Sequence, residues 1–481
     1  MLAGMSRTID CGHMLKVNIL LKNSPLQGST QTYVQSFATG ETIDGVVSIF
    51  SQDDLAFDKL HISFIGEQST SIPSSTPSKA THQFLHLTQP IPESSLPTPK
   101  TFTRRTKYEI PFSFPVTDYL PATACPHSSY PLVKAAHLHP PPSLGDAAIA
   151  GFGGRLRDDL APQDRCKIAY TIIARLERPS LTTGLQETIM EKRLKVRIKP
   201  LVGDIPLPEL DLGPGIADEF RLFQRGEVAP RRLSSSSSPL SKVVGGQAQG
   251  CLAVTLEQPG CFWHPLGDTE RLISKAVRLT LVYTPTATAA QEGSTTTTTT
   301  TTSPAPPTLP EIKSLRAQIT ATTLYTTQIN GVHHPPQKQR DFFGRPVNYR
   351  DAEIPLSLPS LPQLRWTRVD DDQNPSPNPY SEPSEPGPNS PPPPPQQAPG
   401  TGTGVSYIAT LLVPVTLTKD KSFVPTFHTC LISRIYSLSF QLDVKGASTG
   451  FRLRAPMTIA AERDPAALPS YNATLGVIET D

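Results

Sequence analysis

The chain has 481 residues with 44 Lys and Arg against 42 Asp and Glu, a formal net charge of +2, so no global field favours nucleic acid or an acidic membrane surface. Its 53 prolines and 30 glycines disfavour helical bundles, because an interior proline removes a backbone hydrogen bond and clashes with the preceding turn. Six cysteines, at 11, 125, 166, 251, 261 and 430, form no CxxC pair, which suits reduced cytosolic thiols rather than a disulfide framework.

The opening MLAGMSRTIDCGHMLKV lacks the apolar core of a signal peptide, and no apolar run approaches the length that spans a bilayer, so a soluble intracellular protein is expected. Period-2 alternation then dominates. Leu60, Ile62 and Phe64 alternate with His61 and Ser63, and Tyr108, Ile110, Phe112 and Phe114 with Glu109, Pro111 and Ser113, as in half-buried strands. Ile168, Tyr170, Ile172 and Leu176 repeat the design. Leu194, Val196 and Ile198 alternate with Lys195, Arg197 and Lys199, which predicts a closing strand with one apolar face and one solvated cationic face. A cationic face of this kind also attracts anionic headgroups or an acidic cargo tail.

Alternation fails over 201–239, which ends in the serine run 234–238 and cannot bury enough apolar surface to offset ordering entropy; a linker is expected over 201–244. It resumes with Leu252, Val254 and Leu256, then Val277, Leu279, Leu281 and Tyr283, and after a long gap with Tyr436, Leu438, Phe440, Leu442 and Val444. The last alternating strand covers 451–459. The threonine run 295–302 and the proline run 391–395 read as loops, and disordered insertions are expected near 286–308 and 370–403, tolerated because loop-closure entropy grows only logarithmically. The expected fold is all-β, with two tandem immunoglobulin-like β-sandwiches over 15–200 and 245–460, flanked by tails at 1–14 and 461–481.

Chemistry-bearing residues are sparse. His137 and His139 lie two apart with Cys125 and His127 nearby, but Pro140, Pro141 and Pro142 follow directly, so they read as loop histidines and no metal or other cofactor is expected. His333-His334 and His428-Thr429-Cys430 fare no better, and Gly151-Phe152-Gly153-Gly154 lacks the lysine of a phosphate-binding loop. No Ser-His-Asp or paired-carboxylate set is proposed and no enzyme is expected; a metal-dependent enzyme using the histidines around 127–139 is the reading from a different class. Arg231-Arg232-Leu233-Ser234 fits a basophilic kinase site, where phosphorylating Ser234 adds negative charge beside two arginines. The sequon Asn472-Ala473-Thr474 matters only in a secretory lumen.

Several phrases resemble the fungal arrestin-like proteins of the alpha-arrestin class. They are LKVNILL at 15–21, GETIDGVVSIF at 40–50, FDKLHISFIGEQST at 57–70, THQFLHLTQPIPESSLP at 81–97, PFSFPVTDYLPATACPH at 111–127, HPPPSLGD at 139–146 and FVPTFHTCLISRIYSLSFQLDV at 423–444. The resemblance covers roughly 15–200 and 245–460 and implies two linked arrestin-type sandwiches. It further implies an adaptor that brings a WW-domain HECT-type ubiquitin ligase to the cytosolic tails of membrane transporters or receptors, promoting their ubiquitination and endocytosis. Such an adaptor is cytoplasmic, transiently at the plasma membrane or endosomes through its cargo alone, and binds no nucleic acid. The alternative is a ligase-independent sorting scaffold in vesicle trafficking or signalling.

Alpha-arrestin adaptors carry [LP]PxY sequences outside the sandwiches, and Leu468-Pro469-Ser470-Tyr471 matches that pattern, assigning WW-domain binding to Leu468, Pro469 and Tyr471. Proline holds the backbone near polyproline II, so little entropy is lost when Pro469 enters an aromatic groove. Pro377-Asn378-Pro379-Tyr380 has Asn378 where the second proline belongs and reads as an inert loop fragment. The proline run at 391–395 reads as a spacer, although an SH3-type partner also takes such a run.

Overall fold

The structure, a computed structural model, describes residues 15–22, 35–73, 75–126, 131–151, 156–180, 184–200, 220–228, 250–264, 272–286, 309–328, 348–358, 364–370 and 405–461. Its first half comprises β1 (Leu15–Leu21), β2 (Ser36–Ala38), β3 (Thr42–Ser51), β4 (Leu55–Ala56), β5 (Lys59–Ile72), β6 (Ser78–Thr88), β7 (Thr101–Phe102), β8 (Lys107–Pro115), the helix α1 (Pro131–His137), β9 (Cys166–Pro179) and β10 (Gln186–Lys199). A three-stranded sheet β1-β3-β8 faces a five-stranded sheet β2-β10-β9-β5-β6. Their inward side chains share one core, in which Ile43, Val47, Ile110 and Phe114 meet Ile62, Phe64, Tyr170, Ile172, Val196 and Ile198. The alternating pattern read from the sequence is the inside–outside pleat of these strands.

Aromatic rings occupy the centre. Phe64 lies 5.7 Å from Phe114 and 5.8 Å from Tyr170, and Phe84 meets Tyr170 edge-on at 5.4 Å. The buried Tyr170 hydroxyl donates to the Pro141 carbonyl at 2.7 Å, so its polar end is satisfied without water.

The second half comprises β11 (Phe223–Val228), β12 (Gly250–Leu256), β13 (Phe262–His264), β14 (Ser274–Pro285), β15 (Ile312–Tyr325), β16 (Asn348–Leu356), β17 (Thr367–Asp370), β18 (Val405–Thr416), β19 (Phe427–His428), β20 (Ile432–Val444), β21 (Phe451–Met457) and β22 (Ile459–Ala461). One sheet runs β11-β12-β14-β18-β17 and the other β16-β15-β20-β19, with β21 also on β20. Leu252, Val254, Leu279, Leu281, Leu411 and Val413 close against Ile319, Leu438, Phe440, Leu442, Phe451 and Leu453. The protein is therefore all-β, with two sandwich cores in tandem. Among the described residues no helix is long and apolar enough to cross a membrane.

Two expectations are corrected. Residues 223–228, placed in the linker 201–244, form β11, an edge strand paired along its length with β12. Its sequence FQRGEV has too few apolar residues to show alternation, and main-chain pairing rather than burial holds it. The second correction concerns Arg197, one of the three cations on the face of β10 expected to be solvated: Lys195 is exposed and Lys199 half-buried, but the segment from Ser143 to Ala150 covers Arg197. Arg197 is 1% exposed and donates from Nε to the Ile149 carbonyl at 2.6 Å, from Nη2 to the Ala150 carbonyl at 3.3 Å and from Nη1 to Ser36 Oγ at 3.3 Å. Asp146 pairs with Lys195 at 2.6 Å and Lys167 at 3.1 Å. Burial alone pushes the Asp146 carboxyl up, but hydrogen bonds and charge from these lysines outweigh it and hold the pKa below the usual range.

The strand β13 pairs in parallel with β22, and His264 on it is buried with Nε2 against the Phe423 carbonyl. Burial drives its pKa from 6.5 down to about 4, against the hydrogen bond to Phe423, which raises it. The unfolded chain therefore binds one more proton than the folded one between those two values, and folding stability is lost as pH falls from 6.5 towards 4. Chemical denaturation across that window is expected to show a decline of up to roughly 3 kcal/mol from this group, and His264→Gln to flatten it. An unchanged slope in the variant removes His264 as the cause.

Candidate functional site

The two sandwiches meet along a seam built mainly by the end of β15 and the segment from Lys421 into β20. Tyr325, Val424, Phe427, Leu431 and Ile432 come from the second half of the chain yet complete the first core, while Leu160 packs against the second. Polar contacts fix the register. Thr70 Oγ1 donates to the Thr326 carbonyl at 2.6 Å, Ser78 and Thr327 hydroxyls meet at 3.1 Å, and Thr429 Oγ1 donates to Gln68 Oε1 at 2.5 Å.

A charge cluster lies in the seam. Arg434, on β20, is fully buried; its Nη1 donates to the Asp159 carbonyl at 3.2 Å and its guanidinium lies 5.9 Å from the Tyr436 ring centre. Asp159 is 5% exposed, and its carboxylate accepts the Gly145 N–H at 2.7 Å and the Ala161 N–H at 3.1 Å. The neighbouring Asp158 pairs with Lys421 at 3.0 Å, and its carbonyl accepts the Ser422 N–H at 2.8 Å. Two cations and two carboxylates from the two halves thus balance.

Their titration differs by environment. Burial raises the Asp159 carboxyl despite the Gly145 N–H and the Arg434 charge. Burial also acts on Asp158, but the Lys421 hydrogen bond, the Leu160 N–H and the charges of Lys421 and Arg434 prevail and lower it. Arg434 Nε and Nη2, with the hydroxyls of Thr323, Ser422 and Ser433, are buried polar atoms without a hydrogen-bond partner among the described residues. Gly145 is required where it stands: its φ is +72° and a Cβ there would lie 2.0 Å from the Cys166 carbonyl oxygen.

A second cluster joins the same halves. Cys125 follows a short 3₁₀ turn, His137 ends α1, and Cys430 lies in the turn between β19 and β20. His137 Nδ1 is 3.5 Å from Cys125 Sγ and 3.7 Å from Cys430 Sγ, and the three donor atoms all lie within 4.8 Å of one another. All three residues are buried, and burial beside Cys125 pushes the Cys430 thiol well up, so in this geometry it is a neutral S–H.

The sequence-level pairing of His137 with His139 is not the one the fold makes. His139 faces Tyr119, with ring centres 4.6 Å apart, while His137 ends a helix and meets cysteines 12 and 293 residues away. Leu468, Pro469, Tyr471 and Ser234 lie outside the described residues, as do His127, His333, His334, the fragment 377–380 and the runs 295–302 and 391–395. The seam was not anticipated from sequence; its available signals were Arg434 as the one cation of β20 and the adjacent Asp158-Asp159 pair. Compared with known proteins, the chain matches no family model and no curated protein.

The charge cluster yields an asymmetric expectation. Asp159→Ala leaves a buried guanidinium short of its counter-charge and is expected to cost roughly 3–5 kcal/mol, whereas Arg434→Met replaces the charge with an apolar chain of similar volume and costs much less. Urea denaturation of the two variants and the double variant measures the difference; equal losses from both single variants contradict the asymmetry.

Proposed function

We propose that the chain is a non-enzymatic adaptor of the alpha-arrestin kind, which holds the cytosolic portion of a membrane transporter or receptor on its sandwiches and recruits a WW-domain HECT-type ubiquitin ligase through its tail. The observation that carries the reading is the pair of sandwich cores joined along a continuous seam, with the last described strand ending at Ala461, seven residues before Leu468 in the sequence. The arrestin-like phrases coincide with structural elements: LKVNILL is β1, FDKLHISFIGEQST lies mostly on β5, and FVPTFHTCLISRIYSLSFQLDV supplies the seam and β20. HPPPSLGD runs along the segment that seats Tyr170, Asp159 and Lys195.

The mechanism is proximity. Cargo gripped by the sandwiches and ligase bound at Leu468, Pro469 and Tyr471 share one scaffold, so ubiquitin transfer gains from effective concentration and needs no reaction centre in this chain. Ser234, between the sandwiches in sequence, is the proposed phosphorylation site, where added charge beside Arg231 and Arg232 alters the connection between the halves.

A pull-down of the full chain with isolated WW domains tests this. Tyr471→Ala is expected to reduce capture by tenfold or more relative to the parent, since the tyrosine fills one of two pockets that fix the peptide. Equal capture of both proteins, or capture of neither, removes the ligase step and favours a sorting scaffold that works without it.

A further inference from the structure

We propose that Cys125, His137 and Cys430 form a zinc site that clamps the two sandwiches together. The inference stands apart from the adaptor reading, because it rests on the seam alone. A tetrahedral zinc with Zn–S near 2.3 Å and Zn–N near 2.0–2.1 Å places sulfur and nitrogen about 3.5 Å apart and two sulfurs about 3.8 Å apart. The observed separations from His137 Nδ1, 3.5 Å to one sulfur and 3.7 Å to the other, match the sulfur–nitrogen spacing, and the two sulfurs lie within 4.8 Å of each other. The described residues supply three of the four tetrahedral positions.

The donor set selects the metal class. Two thiols and an imidazole with no carboxylate are unsuited to magnesium or calcium, which take oxygen, and suit a borderline-soft cation such as zinc. Burial requires the bound site to be neutral. Both S–H bonds break as Zn–S bonds form, the two protons pass to solvent, and a divalent cation with two thiolates and a neutral imidazole carries no net charge. Such a site avoids the cost of burying an isolated charge. Cys430 Sγ also lies 4.0 Å from the Ala124 carbonyl, a weak S–H contact.

Position gives the site its consequence. Cys125 and His137 belong to the first sandwich and Cys430 to the turn that precedes β20 of the second, so ligation closes a bridge across 293 residues of chain between His137 and Cys430. The metal-free chain would keep the apolar and charged parts of the seam and lose this tether.

The test uses the full chain, purified under reductant, stripped by a chelator and dialysed against zinc. Mass spectrometry of metals is expected to find about one zinc per chain, and cobalt in its place to give thiolate-to-metal charge transfer with the visible bands of a tetrahedral centre. Cys125→Ser and Cys430→Ser should each lose retained metal, while Cys251→Ser keeps it. Zinc should raise the unfolding midpoint of the parent by about 5 °C or more and leave that of Cys430→Ser unmoved. His137→Cys, which substitutes one soft donor for another, should still take up metal and so separates lost ligation from lost folding. A parent that retains no zinc, equal retention by the parent and both serine variants, or a stable Cys125–Cys430 disulfide in place of metal overturns the proposal.

Discussion

A guanidinium cannot shed its charge inside a protein, so wherever Arg434 is buried the surroundings must answer it. That requirement organises the seam. The Asp159 carbonyl accepts from Arg434 Nη1 and the Asp159 carboxylate answers through charge, and residues 143–146 brace that carboxylate from behind. Gly145 fixes the Asp159 carboxylate through its N–H, Asp146 ties the segment to β9 and β10 through Lys167 and Lys195, and the Ser143 hydroxyl and N–H both bond to Ile198. A chain of contiguous contacts thus runs from β10 to β20.

The fold was largely legible where one face of a strand meets the core and the other meets water. On β5 the alternation of Leu60, Ile62 and Phe64 with polar neighbours is the burial pattern itself. Legibility failed where both faces are covered. From Ile319 to Tyr325 every residue of β15 is buried, including Thr320, Thr322 and Thr323, because one face joins the second core and the end of the strand enters the first. A threonine-rich run of that kind carries no period-2 signal. The same reason explains Arg197: alternation correctly set Val196 and Ile198 inward, but nothing in the strand announces that residues 143–150 fold over its other side.

The site was less legible than the fold. Metal-ligand spacing is a local signal, and His137 with Cys430 is a contact across hundreds of residues, visible only once the turn before β20 seats against α1. Local reading also paired His137 with His139, whose alternation is broken by the end of the helix after His137. Arg434 was hidden for a related cause: a single cation on a strand of mixed apolar and polar residues reads as its outward side until a second sandwich covers it.

Cys430 and Arg434 lie four residues apart, and between them Leu431 and Ile432 enter the first core. One short stretch therefore carries a thiol, an apolar anchor and a buried charge, each with partners in the opposite sandwich. Apolar contact alone is non-directional and tolerates sliding between surfaces. A guanidinium that donates to one particular carbonyl, and a thiol beside one particular imidazole, do not. The polar contacts therefore fix one register between the two sandwiches, where apolar burial alone does not.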